Sequence, residues 1–397
     1  MPSGGARPAT SMKLLVDGPA FMDQLERDAA SATRSLVVQT MSFEGDAAGE
    51  RLARVLAGRP DLDRTLIIDR YSLYDVNDRF LPWPPNLVKP SLWRELSATL
   101  ALTRRLSAGG VRVFWTNPVG LLFRKFVGRN HKKLVLVDDR IAYFGGLNVC
   151  DHNFGWHDVM LRVDDPALGA FLRADVLATL RGENMPWRAA FGDLEVVLLD
   201  GVANEELNAP IFDLIRNARR SIDIESAYLS YPFYDRLAEA VQRGVQVTLI
   251  APEFNNKPKM DGYTQWTCAN AGIRLRLYQK RMLHTKAMLV DDEALVIGSS
   301  NFDFLSHRIQ QELMAIVRDR RLIEQFRREV LEPDLAQTVA PTRALVGAWE
   351  WWKLQGILGG AWLTIRLSRL GRTPPSRAAA RVRGGRPGDP VGPDAAA

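Results

Sequence analysis

The chain repeats a histidine motif, and this duplication restricts its fold more than any other feature of the sequence. The pattern His-x-Lys-x4-Asp occurs at residues 131–138 and again, 153 residues later, at 284–291, with an apolar run inside each copy. An asparagine follows each histidine by 17 residues, as Asn148 and Asn301. A single copy of so short a pattern is weak evidence, but two copies with the same downstream spacing indicate a duplicated unit. We therefore predict two equivalent halves that share one active site.

Short β-branched runs alternate with segments of helical periodicity around both motifs, which is the pattern of an α/β fold. In the first half the predicted strands are 36–39, 65–68, 111–115, 134–137 and 140–144 and the predicted helices are 47–57 and 92–106. The second half repeats the alternation over 222–226, 233–243, 246–251, 274–278, 287–290 and 294–297, with a helix near 321–330. We predict two pseudo-symmetric α/β sandwich halves, at 16–192 and 193–340. An insertion at 73–89 contains four residues reading Pro-Trp-Pro-Pro and is predicted to be an irregular lid or surface loop.

The two motifs carry the residues that an acid–base or nucleophilic reaction needs. Residues two apart on a strand project from the same face, so each histidine and its lysine are predicted to point into one cavity. An acid also follows each histidine at a similar distance: Asp158 lies 27 residues after His131, and Glu312 lies 28 after His284. A ring nitrogen that attacks or transfers a proton needs its other nitrogen held by an acceptor, and these acids are candidates. Spacing alone leaves the alternative that they are solvated acids on a loop or helix.

The other histidines and the two cysteines suggest no further chemistry. His152, His157 and His307 lack acids placed in this way and are predicted to be polar surface or loop residues. Cys150 and Cys268 have no Cys-x-x-Cys spacing, so neither a disulfide framework nor a structural zinc site is predicted. A reducing compartment such as the cytosol fits this cysteine content.

The doubled arrangement resembles the phospholipase D superfamily, and within it the bacterial cardiolipin synthase-like branch, over about residues 30–335. The resemblance implies a phospholipase D-type α/β sandwich in each half and assigns roles to residues of both motifs. The residues 41–46 and the triplet Trp156-His157-Asp158 are similar to the lipid-acting members of the superfamily. The implied catalytic motif residues are His131, Lys133, Asp138, His284, Lys286 and Asp291, the implied phosphate-binding residues are Asn148 and Asn301, and the implied histidine-orienting acids are Asp158 and Glu312. The role of the two motif aspartates in the family is usually structural.

The resemblance implies phosphatidyl transfer through a phosphohistidine, with synthesis of cardiolipin from phosphatidylglycerol as the leading interpretation. By the family's tendency, His131 is taken as the nucleophile and His284 as the acid and base. Two lysines and two asparagines that converge on one point balance the charge of a phosphodiester, so no metal and no cofactor are expected. Hydrolysis of a phospholipid to phosphatidic acid uses the same residues and is the alternative. A nucleic-acid phosphodiesterase is less favoured, because residues 1–342 carry no net charge.

The formal net charge of +6 originates in the C-terminal segment. Residues 343–386 contain nine lysines and arginines but one acid, and residues 341–371 also contain four of the ten tryptophans: Trp349, Trp351, Trp352 and Trp362. Aromatic rings beside cations are typical of helices that lie in a membrane interface. We therefore predict amphipathic membrane-associating helices over 341–371, with packing of the tryptophans on the protein core as the alternative. Residues 372–397 are predicted to be a disordered basic tail.

Neither a secretory signal nor a membrane-spanning helix is predicted, because the longest uncharged apolar run near the C-terminus, residues 354–365, is shorter than the ~20 residues that a span needs. We expect a cytoplasmic enzyme that is peripherally associated with an anionic phospholipid membrane containing its phosphatidylglycerol-type substrate. No nucleic-acid partner is expected.

Overall fold

The computed structural model describes residues 10–123, 125–202, 204–257 and 259–341, together with 352, 353, 355, 356, 359, 360 and 363. Strands and helices alternate along it, as the sequence predicts. The strands are β1 (Ser11–Val16), β2 (Ser35–Thr40), β3 (Asp63–Asp69), β4 (Asp75–Val76), β5 (Arg79–Phe80), β6 (Arg112–Thr116), β7 (Leu134–Val137), β8 (Ile141–Gly145), β9 (Val159–Asp164), β10 (Trp187–Phe191), β11 (Leu194–Leu199), β12 (Ser221–Ser226), β13 (Gln246–Pro252), β14 (Arg274–Tyr278), β15 (Lys286–Val290), β16 (Ala294–Gly298), β17 (Glu312–Val317) and β18 (Thr338–Val339). The α-helices are α1 (Asp17–Ser31), α2 (Ala47–Ala57), α3 (Pro84–Leu87), α4 (Pro90–Ala108), α5 (Asp151–Phe154), α6 (Pro166–Leu180), α7 (Asn204–Leu207), α8 (Ala209–Asn217), α9 (Phe233–Gln242), α10 (Lys259–Ala271), α11 (Phe304–Arg308), α12 (Arg320–Phe326) and α13 (Glu332–Leu335). Short 3₁₀ turns lie at Arg70–Leu73 and Leu121–Phe123, and a π-helical turn lies at Arg327–Leu331.

Two large sheets, one in each half of the described chain, share the same order over seven strands, and the second sheet has one more strand at each edge, β10 and β18. The first sheet has the order β1-β9-β8-β7-β2-β3-β6, and the second has the order β10-β11-β17-β16-β15-β12-β13-β14-β18. In each, a parallel set (β2-β3-β6 or β12-β13-β14) continues into antiparallel strands that begin with the motif strand, β7 or β15. The duplication in the sequence is therefore a duplication of structure, and the prediction of two pseudo-symmetric α/β halves is confirmed.

The two sheets pack face to face through one apolar core. Leu134 and Leu136 of β7 and Leu289 of β15 belong to that shared core. Val135, which alternates with them along β7, packs on the opposite face with residues of α1, α2 and α4, and Met288 of β15 packs with α8 and α9. This period of two follows from the alternation of side chains along a strand. The sheets thus form the middle of the protein, and helices cover their outer faces.

The structure modifies the predicted boundaries of the halves. The first sheet includes β1, which pairs with β9 and begins before residue 16. The strand β10 pairs with β11 of the second sheet, so the predicted boundary between residues 192 and 193 divides a hairpin.

The insertion at 73–89 is more regular than predicted. It contains the β4–β5 hairpin and the one-turn helix α3. Asn77 and Asp78 supply the positive φ angles of 50° and 55° that a two-residue hairpin turn requires. Pro84 and Pro85 occupy the first turn of α3, where a missing backbone N–H costs nothing. The prediction that this segment is irregular is therefore wrong.

The predicted C-terminal membrane helices (341–371) and tail (372–397) lie almost entirely outside the described residues, and Trp349, Trp351 and Trp362 are among those left out. Trp352 and Leu363 are described; both are helical, with 65% and 51% of their surface exposed. Within the described ranges, no helix combines the length and the apolar character that crossing a membrane requires.

Candidate active site

A cavity of about 620 Å³ is lined by residues of both halves. The first half contributes His131 and Asn148, and the second contributes His284 and Asn301. Both histidines lie just before their motif strands and are 8% and 7% exposed, so they are buried but reach the cavity. The structure thus brings together in one cavity the two histidines and the two asparagines that the sequence analysis selects.

Backbone hydrogen bonds between the halves fix the position of both histidines. The amide of His131 donates to the carbonyl of Gln311 at 2.9 Å. In the second half, the amide of His284 donates to the carbonyl of His157 at 2.7 Å, and His157 donates to Met282 at 2.8 Å. Each catalytic candidate therefore follows directly after a residue that forms an isolated parallel β-bridge with the other half.

The acids beside the histidines are exchanged between the halves. The Glu312 carboxylate lies 3.0 Å from Nδ1 of His131, and the Asp158 carboxylate lies 2.6 Å from Nδ1 of His284. Ser299 Oγ donates to Glu312 at 2.5 Å. Asp158 and Glu312 are 1% and 0% exposed, which excludes the alternative that they are solvated surface acids. In sequence each acid follows the histidine of its own half, but in space it holds the histidine of the other half.

The space around these acids explains two glycines that follow the motifs. A Cβ atom on Gly146 would lie 2.2 Å from a carboxylate oxygen of Asp158. A Cβ atom on Gly298 would lie 2.2 Å from the carbonyl oxygen of Leu313, next to Glu312. Any larger residue at either position would displace the strand that carries the acid.

The motif lysines lie beneath the histidines. Lys133 and Lys286 are each 1% exposed, and neither belongs to the described residues that line the cavity. Lys133 Nζ donates to the carbonyl of His131 at 2.7 Å, and Lys286 Nζ donates to the carbonyl of His284 and lies 3.9 Å from Asp158. Burial lowers the pKa of Lys133 to about 7 and the pKa of Lys286 to about 8. The structure therefore places two buried amino groups, positively charged below these pKa values, behind the histidines rather than on the cavity wall.

Burial also lowers the pKa of both catalytic candidates. It lowers the pKa of His284 to about 3, with a contribution from the Lys286 charge, and it lowers the pKa of His131 despite the opposing effect of Glu312. Burial alone would raise the pKa of Glu312, but His131 and the nearby lysine charge hold it below its ordinary value. At neutral pH both rings are therefore neutral. Their Nδ1–H groups donate to the carboxylates, and the lone pair available for attack is at Nε2.

The motif aspartates lie at the opposite ends of the motif strands from the histidines. Asp138 accepts backbone N–H bonds from the residues that open β2, and Asp291 accepts the equivalent bonds before β12. The three donors in the first half are Thr33, Arg34 and Ser35, at 2.7–3.0 Å, and those in the second half are Arg219, Arg220 and Ser221, at 2.7–2.9 Å. Burial opposes ionisation, but these bonds outweigh it and lower the pKa of both carboxyls. Neither aspartate lines the cavity, so the structure does not bring them to the other catalytic candidates, and their contacts are those of structural residues.

Asn148 is held by its neighbours at the cavity wall. Its Oδ1 accepts from the amide of Ser42 at 3.2 Å, and its Nδ2 donates to Asn153 at 2.7 Å. Ser42 and Asn153 line the same cavity, as does Glu44, so part of the segment 41–46 that resembles lipid-acting enzymes reaches the site.

Several residues of the cavity wall were given no role in the sequence analysis, although Trp156 was noted there as part of a triplet. The Trp156 ring lies 4.9 Å from the ring of His284, and Arg129 is buried in an ion pair with Asp69 at 3.0 Å. His152 also lines the cavity, which corrects its assignment as a surface or loop residue. The remaining aromatic lining residues are Tyr71, Phe126, Tyr228, Tyr231, Tyr263 and Phe304. The position of Trp156, two residues before an orienting acid, was the one sequence signal available for this group.

His157 and His307 are buried, so their prediction as surface or loop residues is also wrong. His157 Nδ1 lies 2.9 Å from Asp17, and its Nε2 lies 2.8 Å from Asp334. Burial disfavours its charged form, but the two carboxylates outweigh burial and raise the pKa of His157 to about 10. His307 Nε2 lies 2.9 Å from Glu205, outside the cavity. The charged ring of His157 therefore links α1 to α13 next to the acid Asp158.

Comparisons with known proteins agree with this geometry. A family model described as "Cardiolipin synthase, PLD-like domain" matches residues 211–332. Cardiolipin synthase 1 of Staphylococcus epidermidis is 25% identical over 365 residues, which cover 83% of this chain and 69% of that protein. Cardiolipin synthase B of Escherichia coli is 24% identical over 384 residues, which cover 88% and 86%. Among solved structures, the phosphatidylserine synthase of Haemophilus influenzae has the same fold, with a TM-score of 0.63 at 16% identity over 90% of this chain and 94% of that one.

Proposed function

We propose that this chain transfers a phosphatidyl group between phospholipids through a phosphohistidine, and that it makes cardiolipin from phosphatidylglycerol. The chain belongs to the cardiolipin synthase-like branch of the phospholipase D superfamily. One observation carries the proposal. His131 and His284 come from equivalent halves and line one cavity, and each is held at Nδ1 by a buried carboxylate of the opposite half. This arrangement fits a two-step displacement at phosphorus.

In the first step His131 Nε2 attacks the phosphorus of phosphatidylglycerol. A P–N bond forms, the P–O bond to the glycerol headgroup breaks, and His284 gives a proton to the leaving alkoxide. The anionic phosphodiester raises the pKa of an imidazole beside it, so His284 takes up a proton from solvent as the substrate binds and holds it at Nε2 for the leaving alkoxide. In the second step His284 takes the proton of an incoming hydroxyl group of a second phosphatidylglycerol. That oxygen attacks phosphorus, the P–N bond breaks, and both rings return to their starting states.

The lysines and asparagines that accompany the two histidines stabilise negative charge in the site. Lys133 and Lys286 place positive charge behind the histidines, and Asn148 and Asn301 offer amide groups at the wall. In a site shielded from water, such fixed charges and dipoles stabilise the negative charge that develops on a five-coordinate phosphorus. The proposal routes no step through a metal ion.

The cavity wall favours a lipid substrate. Aromatic and apolar side chains such as Phe126, Trp156 and Met260 line it beside the polar reacting groups. Acyl chains and a diacylglycerol backbone are protected from water by such surfaces. We propose that the enzyme meets this substrate as a peripheral protein on the cytoplasmic face of an anionic membrane.

The test is to incubate the purified full chain with phosphatidylglycerol and to resolve the products by mass. We expect cardiolipin and glycerol in equal amounts. Phosphatidic acid and glycerol without cardiolipin would instead identify a hydrolase, and a lack of turnover would contradict both reactions. His131→Ala and His284→Ala should each abolish turnover while the thermal melt is unchanged, since one removes the nucleophile and the other the proton carrier.

A further inference from the structure

The segment between β3 and β7 exposes an unusual number of large apolar side chains. Leu121 is 82% exposed, Val88 is 79% exposed and Trp83 is 59% exposed. We call seven of these side chains the entry surface: Phe80, Trp83, Leu87, Val88, Trp93, Leu121 and Phe123, each at least 36% exposed. Exposed apolar clusters of this kind commonly mark an interaction site.

Contacts join these residues into one patch although they come from distant parts of the segment. The rings of Phe80 and Phe123 lie 5.9 Å apart. The amide of Trp83 donates to the carbonyl of Phe80 at 3.1 Å. The indole N–H of Trp93 donates to the carbonyl of Leu87 at 2.8 Å. The β4–β5 hairpin, α3, the start of α4 and the 3₁₀ turn at Leu121–Phe123 are therefore neighbours in space.

Aromatic contacts continue from this patch into the active-site cavity. The ring of Phe126 lies 5.0 Å from Phe80, 6.0 Å from Phe123 and 5.5 Å from Tyr71. Phe126 and Tyr71 line the cavity that contains His131. An unbroken aromatic wall thus leads from the exposed patch to the reacting groups.

Cations accompany the apolar side chains. Arg79, Arg94 and Lys125 are exposed within the same stretch of chain, adjacent in sequence to Phe80, Trp93 and the 3₁₀ turn. Apolar tips that enter the acyl boundary, next to cations that meet anionic headgroups, are the features of an interfacial surface.

We infer that the entry surface docks on an anionic phospholipid bilayer, from which the phosphodiester of a lipid reaches the two histidines. The aromatic wall lets the lipid keep its chains in apolar surroundings while the headgroup moves from the bilayer to the cavity. The inference rests on the proposed function for the reaction that follows, but the docking itself is measured separately.

The test uses the full chain with Trp83→Glu and Leu121→Glu combined, and with Leu177→Glu as the matched control. Leu177 is 41% exposed on α6 and does not belong to the entry surface. Binding is measured by co-sedimentation with phosphatidylglycerol vesicles, and turnover is measured both on vesicles and on a short-chain phosphatidylglycerol that is monomeric in solution. Removing each apolar contact is expected to weaken vesicle binding roughly tenfold, so the double variant should lose about a hundredfold. Turnover on vesicles should fall with it, whereas short-chain turnover and the thermal melt should match the wild type and the control.

Vesicle binding by the double variant equal to that of the control would overturn the inference. If the double variant also loses self-association while its vesicle binding is unchanged, the entry surface contacts another copy of the chain instead of a bilayer. An equal loss of short-chain turnover with an intact melt would also overturn it, since the residues would then act inside the site. If the wild type fails to turn over short-chain lipid while the vesicle binding of the variants differs as expected, the proposed function fails and the docking stands. If the double variant does not fold, Leu121→Glu alone, at the most exposed position of the patch, decides by the same comparison.

Discussion

Replacing Glu312 by Gln is expected to slow turnover about a thousandfold. The substitution keeps the shape of the side chain and removes its charge. During attack on phosphorus the His131 ring becomes positive, 3.0 Å from the buried Glu312 oxygen at Nδ1. Two unit charges centred about 4 Å apart interact by about 4 kcal/mol at an effective dielectric of 20. Each ~1.4 kcal/mol corresponds to a factor of ten in rate, so losing this interaction should lower kcat by about 10³.

The exchanged pairing makes a more specific prediction about which variants behave alike. A phosphodiester with a nitrophenol leaving group needs no proton donor, because the leaving phenolate is stable on its own. On this substrate the first release of product by His284→Ala and Asp158→Asn should recover much of the rate that they lose on lipid, although the second step still lacks its base. His131→Ala and Glu312→Gln should remain equally impaired on both substrates. The assay is a comparison of the rate of product release in the first turnover for the four variants on the two substrates.

Glu205→Gln is the matched control for this comparison. It makes the same chemical change in a glutamate that pairs with a buried histidine, His307, at 2.9 Å outside the cavity. Its kcat should equal that of the wild type on both substrates. If Glu312→Gln instead recovers activity with the nitrophenol substrate as His284→Ala does, the acids act on the histidines of their own halves, and the pairing described above is refuted.

Four further outcomes follow from the site and its surroundings. The value of kcat/KM for a soluble short-chain substrate should fall as pH rises through about 7 to 8, because Lys133 and Lys286 lose their protons in the free enzyme. The value of kcat should fall less, because the bound phosphodiester raises the pKa of both lysines. A value of kcat/KM that does not change over this pH range would contradict the prediction. A chelator should leave turnover of the same substrate unchanged, since the lysines and asparagines supply the positive electrostatics, and a loss restored by Mg²⁺ or Zn²⁺ would count against the mechanism. His157→Gln should lower the free energy of unfolding by on the order of 3 kcal/mol at pH 7, and the difference from the wild type should shrink toward pH 10. The stabilisation that a raised pKa provides is complete below the pKa of the unfolded state, 6.5, and is lost as pH rises through the pKa of the folded state. A difference in unfolding free energy that stays constant over this pH range would contradict the assignment of a charged His157 ring. Deletion of the chain after Pro341 should weaken co-sedimentation with anionic vesicles and spare short-chain turnover, and unchanged vesicle binding would show that the C-terminal cations and tryptophans do not contribute.

The duplicated motif predicted the architecture well because two copies of a short sequence pattern indicate two copies of the folded unit that carries it. The helix α2 and the strands β7 and β14 have the bounds that hydrophobic periodicity predicts, and the other predicted strands differ by one or two residues. Eight strands were not predicted: β1, β4, β5, β9, β10, β11, β17 and β18. Each motif strand pairs with the first strand of its parallel set, so an equal spacing of motifs in sequence becomes an equal position in two sheets. The same regularity placed both histidines at one cavity.

The contacts between the halves could not be predicted from spacing. Asp158 and Glu312 lie at similar distances, 27 and 28 residues, from the histidines of their own halves, and that symmetry suggests the wrong partners. The exchange arises because each acid lies at the start of an inner strand, β9 or β17, where the opposite half approaches. The spacing within one half gives no information about contacts with the other half.

Burial of polar residues was the second feature that sequence could not supply. His157 and His307 lie in polar stretches that are typical of loops, yet both are buried, because acids distant in sequence accept hydrogen bonds from their rings. Asp17 and Asp334, the partners of His157, lie in α1 and α13, near opposite ends of the described chain. The hairpin of the insertion was missed for a different reason: Asn77 and Asp78 are a turn signal that the neighbouring prolines obscured.

The most direct test of the account is to trap the covalent intermediate. The His284→Ala variant, which retains the nucleophile but lacks the acid and base, is mixed with a phosphatidyl ester of nitrophenol, quenched rapidly and digested for mass spectrometry. The account predicts a phosphatidyl adduct on the peptide that contains His131, released with one equivalent of nitrophenol, and no adduct in His131→Ala. Release of nitrophenol without any adduct, or an adduct on a residue other than His131, would contradict it.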